Sequence, residues 1–426
     1  DSNKQPPETP PSPRLGPRPL PLHLAMEGWL LQMSFAGLTP WSAGSPLSKP
    51  LHRLLAELGA PKPNPVDPAK DRDVSDWTAL IAPAPFMDAL TREATRQFED
   101  FGRGVIAYQC HSYHRMREMP PAVWSMGAAA LRDYGGPQGA PPVVFVPSLV
   151  NRAYILDLAA DRSLMSASAQ RIHSYLLDWG DPGADEREFD LDAYINRVLV
   201  PALEHVKRAT GQTPMVAGYC MGGTLAVAPA VLRPDLVAKL VLLAAPWDFH
   251  ADNEASRAMM QLCRPMLEIM IASMGCAPVD LLQMLFASLD PTLVGRKFRG
   301  FAAMDPNTDK AKRFVELEDW LNDGVPLAGP VAREVLFDWY GANTPLGDLW
   351  TVGGRAIKPA EIACPTLALI PSQDRIVPPA SAVVLAEKIA HAETRHVPLG
   401  HIGMIAGGSA ARSVYPVVID WLSASA

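Results

Sequence analysis

One seven-residue stretch, Gly218-Tyr219-Cys220-Met221-Gly222-Gly223-Thr224, stands between the apolar run that ends at Ala217 and the small-residue run Leu225–Leu232. Glycines two places before and after a reactive side chain suit a sharp strand-to-helix turn, in which backbone meets backbone and leaves no room for a Cβ atom. The side chain at the tip of such a turn is lifted above the end of its strand. Here that side chain is a thiol. The stretch therefore predicts a nucleophile elbow with Cys220 as nucleophile and Gly218, Gly222 and Gly223 as spacers; the alternative is a buried cysteine in a glycine-rich packing turn.

An elbow needs a sheet, and the surrounding sequence supplies its pattern. Pro141-PVVFVPSLV, Ser174-YLLDWG, Thr213-PMVAGYC, Ala238-KLVLLAAPWDF and Cys364-PTLALIPSQD are short apolar runs of the kind found in strands buried on both faces. Helical segments alternate with them at Ser163–Ile172, Leu191–Thr210 and Gly222–Leu232. This alternation predicts an α/β domain over 141–426 with a mostly parallel sheet. It breaks off at about 250–351, a Met-rich helical stretch that reads as a cap inserted between two strands. Residues 23–140 read as a helical N-terminal region, with Pro50-LHRLLAEL and Met87-DALTREATRQFEDFGRGV as examples. Residues 1–22 hold eight of the 43 prolines and read as a disordered leader.

A nucleophilic thiol needs a base, and the base needs an orienting acid. In a parallel sheet these groups belong at strand ends. Asp374 follows the strand Thr366-LALIPSQ, 154 residues after Cys220, and His401 follows a short strand 27 residues later, in Val397-PLGHIGMIAGG. His391 and His396 are competitors, one at a helix end and one within a strand. The oxyanion of a tetrahedral intermediate needs two N–H donors. The backbone of Met221 supplies one by elbow geometry, and Leu149 or Val150, after the first strong strand, supplies the other.

Composition excludes other classes. Charged residues make up 19% of the 426 and the net charge is −7, so no basic field exists for nucleic acid or an anionic bilayer. The five cysteines lack both the density of a disulfide scaffold and the CxxC spacing of a zinc site, which points to a reducing, cytoplasmic setting and no metal. No signal-peptide pattern opens the chain and no run of about 18 apolar residues lacks charge, so no transmembrane segment is expected.

Taken together, these segments resemble the polyhydroxyalkanoate synthases, a family with an α/β-hydrolase fold. Gly218 to Thr224 meets the family's G-x-C-x-G-G-T in full, and Val146-PSLVNRAYILDL is similar to its oxyanion-side loop. Asp178-WGDPG, Trp320-LNDGVPLAGP, Phe337-DWYGANTPL, Asp374-RIVP and Gly400-HIG resemble further family segments, and the short, subunit-dependent synthases are nearer than the long ones. The resemblance implies acyl transfer from 3-hydroxyacyl-CoA to a growing polyester through a Cys-bound thioester. CoA is then part of substrate and product, with no separate cofactor. It further implies a homodimer or a second synthase subunit as partner, and a place on polymer granules. One departure is Arg375, where the family commonly has His. Rival readings are a Cys-dependent hydrolase (thioesterase, polyester depolymerase or dienelactone hydrolase type) and a silent, granule-coating relative.

Overall fold

The computed structural model describes residues 14–36, 84–251 and 254–424. They divide into two compact units, one made of residues 14–19, 111–290 and 306–424, the other of 20–36, 84–110 and 291–305.

The larger unit is built on eight strands: β1 (Ala122–Met126), β2 (Ala129–Asp133), β3 (Pro142–Val146), β4 (His173–Asp178), β5 (Met215–Tyr219), β6 (Leu240–Leu243), β7 (Thr366–Pro371) and β8 (Glu393–Val397). Their order across the sheet is β1-β2-β4-β3-β5-β6-β7-β8, and only β2 runs against the others. Every residue of β3, β5, β6 and β7 is buried, which is why these strands read as unbroken apolar runs. Their side chains alternate between two cores as the pleat requires. Val144, Val216, Leu242 and Ala368 face one core, together with the helices Val200–Thr210 and Met221–Leu232. Phe145, Ala217, Val241 and Leu369 face the other, together with the helix Tyr415–Ser423.

The sheet begins earlier than the sequence reading places it. β1 and β2 precede residue 141 and lie within the stretch read as helical. They form an edge hairpin whose first strand is largely exposed and whose second, Ala-Ala-Leu-Arg-Asp, has weak strand preference. The turn between them needs Gly127, with φ at 55°. The segment Ser163–Ile172 is helical only over Leu164–Ser168, where the Ser163 hydroxyl caps the N-terminus by accepting from Ser166 N–H at 2.8 Å.

The leader reading also runs too far. Residues 1–13 lie outside the described residues, as does the Pro50-LHRLLAEL segment. Arg14 is held in place: it donates to Asp319 Oδ1 at 2.7 Å and to the His111 carbonyl at 2.6 Å. A helix then opens at Leu20, with Pro21 in its first turn, where the missing N–H costs nothing.

The insertion after β6 contains the helices Glu254–Met274, Val279–Leu289 and Asp309–Asn322 and a short ladder pairing Cys276–Ala277 with Leu327–Ala328. A wide helical turn, Glu334–Trp339, closes it, and Glu334 accepts from the Leu191 N–H at 3.2 Å. Its segment 291–305 belongs instead to the smaller unit. There Phe298, on the helix Leu293–Ala302, packs edge-on against Phe101 and Tyr108 of the helix Ala84–Gln109, with centroids at 6.2 and 5.6 Å. Gly104 permits this approach, since a Cβ there would lie 2.0 Å from the Phe298 carbonyl oxygen.

Candidate active site

The turn after β5 has the geometry its glycines predict. Cys220 sits at φ 54°, ψ −130°, a conformation that costs a non-glycine residue about 1–3 kcal/mol and persists only when its surroundings enforce it. Those surroundings are backbone. Cys220 N–H donates to the Leu243 carbonyl at 2.8 Å, Gly223 N–H to the Cys220 carbonyl at 2.9 Å, and the Thr224 hydroxyl to the Pro246 carbonyl at 2.7 Å. A Cβ on Gly218 would stand 2.4 Å from the Gly223 Cα, and one on Gly222 would stand 2.2 Å from the Val146 carbonyl oxygen. On Gly223 it would meet the Ala245 Cβ at 2.6 Å. Each glycine thus seats the turn against a different neighbour, and the helix Met221–Leu232 starts directly beyond the thiol.

β7 and β8 deliver the other two groups. Asp374 is 6% exposed and His401 7%, and His401 Nδ1 donates to Asp374 Oδ2 at 2.7 Å. The second carboxylate oxygen accepts from the Ile376 and Val377 N–H groups at 2.8 and 2.9 Å, so the aspartate is fully satisfied and fixed. Cys220 lies close enough for its sulfur to act on the His401 ring. Burial alone would disfavour an imidazolium here. The Cys220 sulfur and the Asp374 carboxylate outweigh it and push the His401 pKa up to about 10. Tyr219 braces the loop from below, its hydroxyl donating to the His401 carbonyl at 3.2 Å. His391 and His396 both lie exposed on the surface.

The loop after β3 carries the candidate oxyanion donors. Val150 N–H donates to the Ser148 hydroxyl at 3.3 Å, whereas the N–H groups of Leu149 and Met221 have no hydrogen-bond partner among the described residues. The same loop is tied to the end of the insertion. Val325 N–H donates to the Val150 carbonyl at 3.0 Å, Trp320 Nε1 to the Arg152 carbonyl at 2.9 Å, and the Tyr154 hydroxyl to Asp323 Oδ2 at 3.1 Å. Trp179 Nε1, in the loop after β4, donates to the Pro147 carbonyl at 2.9 Å. Segments far apart in sequence thus form one hydrogen-bonded rim.

Sequence reasoning missed the walls of the site. Cys220 packs against a small cluster of Ile370, Val377 and Ala382, with Ile376 at its edge. Tyr340 is half-buried, and desolvation first and the Cys220 sulfur second hold its hydroxyl well above the ordinary tyrosine range. Its carbonyl accepts from His250 Nε2 at 3.0 Å. Asn343 sits nearby at φ 55° and bridges the same loop, accepting from Phe249 N–H at 3.0 Å and donating to Asp248 Oδ1 at 2.8 Å. Both residues lie in Phe337-DWYGANTPL, a segment singled out only by resemblance.

The family model for the α/β-hydrolase fold matches residues 141–407. The poly(3-hydroxyalkanoate) polymerase subunits PhaC of Allochromatium vinosum and Thiocystis violacea are each 32% identical to the chain, over 71% of it and 87% of their own length. The subunit of the same name from Synechocystis sp. is 30% identical over 66% of this chain and 77% of its own. Among solved structures, a meta-cleavage product hydrolase from Pseudomonas fluorescens aligns at a TM-score of 0.43 and 16% identity, over 70% of this chain and 97% of that one.

Proposed function

The chain belongs to the α/β-hydrolase fold family and, within it, to the poly(3-hydroxyalkanoate) polymerases; from that premise we propose that it joins 3-hydroxyacyl units from their CoA thioesters into a polyester and releases CoA. The observation that supports the chemistry is the 2.7 Å hydrogen bond between His401 and the Asp374 carboxylate, together with the strained elbow that presents the Cys220 thiol.

In this reading His401 takes the Cys220 proton, and the imidazolium, stabilised by Asp374, favours the thiolate beside it. The sulfur attacks the thioester carbonyl, and the oxyanion is met by the N–H groups of Met221 and of Leu149 or Val150. When the intermediate collapses, the carbon–sulfur bond to CoA breaks and His401 returns its proton to the departing thiolate. The acyl group stays on Cys220 as a second thioester, so little of its activation is lost. His401, oriented by Asp374, then takes the proton of an incoming 3-hydroxyl. That oxygen attacks the Cys220 thioester, the ester forms and the thiol is regenerated. No group beyond the protein and the CoA thioester enters this sequence. The polymerase-subunit name of the relatives supports a second copy or a second subunit as partner, and an insoluble product keeps the enzyme at its surface.

The test is CoA release from 3-hydroxybutyryl-CoA, with the acyl product assayed as insoluble polymer or free acid. Release with polymer is the expected outcome, and Cys220→Ala should abolish it. Release with free acid only would instead identify a thioesterase, while release that survives Cys220→Ala would remove the thiol from the mechanism.

A further inference from the structure

The turn Asp374-Arg375-Ile376-Val377 has two faces. Its inner face belongs to the site: Asp374 holds His401, and Val377 is part of the small cluster against which Cys220 and Ile376 both pack. Its outer face is Arg375, whose side chain is 82% exposed and makes one long contact, Nη1 to Asp290 Oδ2 at 3.3 Å, at the end of the insertion helix Val279–Leu289. Such a single, solvent-exposed contact is readily exchanged. A guanidinium matches the geometry of a phosphate with two parallel donors, which this contact does not use. The substrate of the reaction proposed above carries several phosphates on the leaving group, outside the reacting thioester, and the chain that must receive it has a net charge of −7. Arg375 is thus an exposed cation one residue from Asp374, next to the wall around the nucleophile.

We propose that Arg375 binds the phosphate-bearing part of the acyl-CoA, exchanging Asp290 for the anion, and so selects CoA thioesters over shorter ones. This rests on the polymerase reading, and the experiment separates the two. Two substrates share the acyl group: 3-hydroxybutyryl-CoA, and the N-acetylcysteamine thioester of 3-hydroxybutyrate, which lacks the phosphates. The measured quantity is the ratio of their kcat/KM values. We expect Arg375→Ala to lower this ratio about tenfold through KM for the CoA substrate, and Arg375→Glu to lower it further. Asp290→Asn, which removes the competing carboxylate, should hold or raise it. Added salt should lower the wild-type ratio more than that of Arg375→Ala. An unchanged ratio overturns the proposal. So does a fall in Asp290→Asn equal to that in Arg375→Ala, because the pair would then act as a fastening between loop and insertion. If the wild type turns over neither thioester, the polymerase reading fails and this proposal with it; turnover of both with an unmoved ratio removes only the role of Arg375.

Discussion

The elbow and the end of the insertion both border Cys220, yet they are held by opposite means. At the elbow, backbone presses on backbone: three glycines, one strained φ and carbonyls at fixed distances set the sulfur's position within a few residues of chain. At the insertion, side chains span long stretches of sequence, as when Trp320 reaches Arg152, Asp323 reaches Tyr154 and Asn343 reaches Asp248. The first arrangement gives way all at once when one atom is added. The second is a set of separate bonds, each of which can be lost alone.

That contrast orders the expected effects of substitution. Gly222→Ala should be the most damaging, because its Cβ would collide with carbonyls of Val146 and Pro147 that β3 and its loop hold in place. A loss of several kcal/mol in denaturant unfolding, together with the disappearance of CoA release, is expected. A stable, active variant would show that the elbow can shift, and would break the contrast. Asp323→Ala should cost less, about 1–2 kcal/mol, by leaving the Tyr154 hydroxyl without its acceptor and Arg152 with Asp181 alone, whereas Asp323→Asn should recover most of that. If the alanine variant unfolds like Gly222→Ala, the rim is as cooperative as the elbow.

A third effect is a matter of pH. Burial raises the Glu334 pKa to about 7 from an ordinary 4.5, helped by Asp190, Asp338 and Asp192 and opposed by the Leu191 N–H. The folded protein therefore binds this proton more tightly than the unfolded chain. The associated stability is present below about 4.5 and is lost as pH rises through about 7. Glu334→Gln keeps the acceptor for Leu191 but cannot ionise, so its Tm advantage over the wild type should grow between pH 5 and pH 8. A constant difference across that range would mean that Glu334 is not charged against its surroundings.

The same contrast explains what could be read from the chain beforehand. Cys220 and its glycines lie within seven residues, and Asp374 follows an apolar run that is buried because both faces of its strand are covered, whereas His401 follows the largely exposed strand Glu393–Val397 and is marked by its glycine-flanked loop. Local signals of this kind survive in sequence. β1 and β2 leave little trace because an edge hairpin with one exposed strand carries no apolar run. The pairing of segment 291–305 with the helix Ala84–Gln109 depends on one glycine admitting one phenylalanine almost two hundred residues away, which no periodicity records. The rim bonds between Arg152 and Trp320 are legible only as two motifs that recur together, and their physical reason emerges only when both segments meet.

The backbone origin of the elbow separates where the reactive atom sits from what that atom is. A hydroxyl placed at residue 220 would occupy nearly the position of the sulfur, since nothing in the turn grips the side chain itself. The acyl group would then rest as an oxygen ester, as stable as the ester bonds of the chain being built, and the next transfer would lose its downhill step. On this scaffold the turn acts as a fixed socket, and the choice of sulfur decides whether an acyl group passes through the enzyme or stays on it.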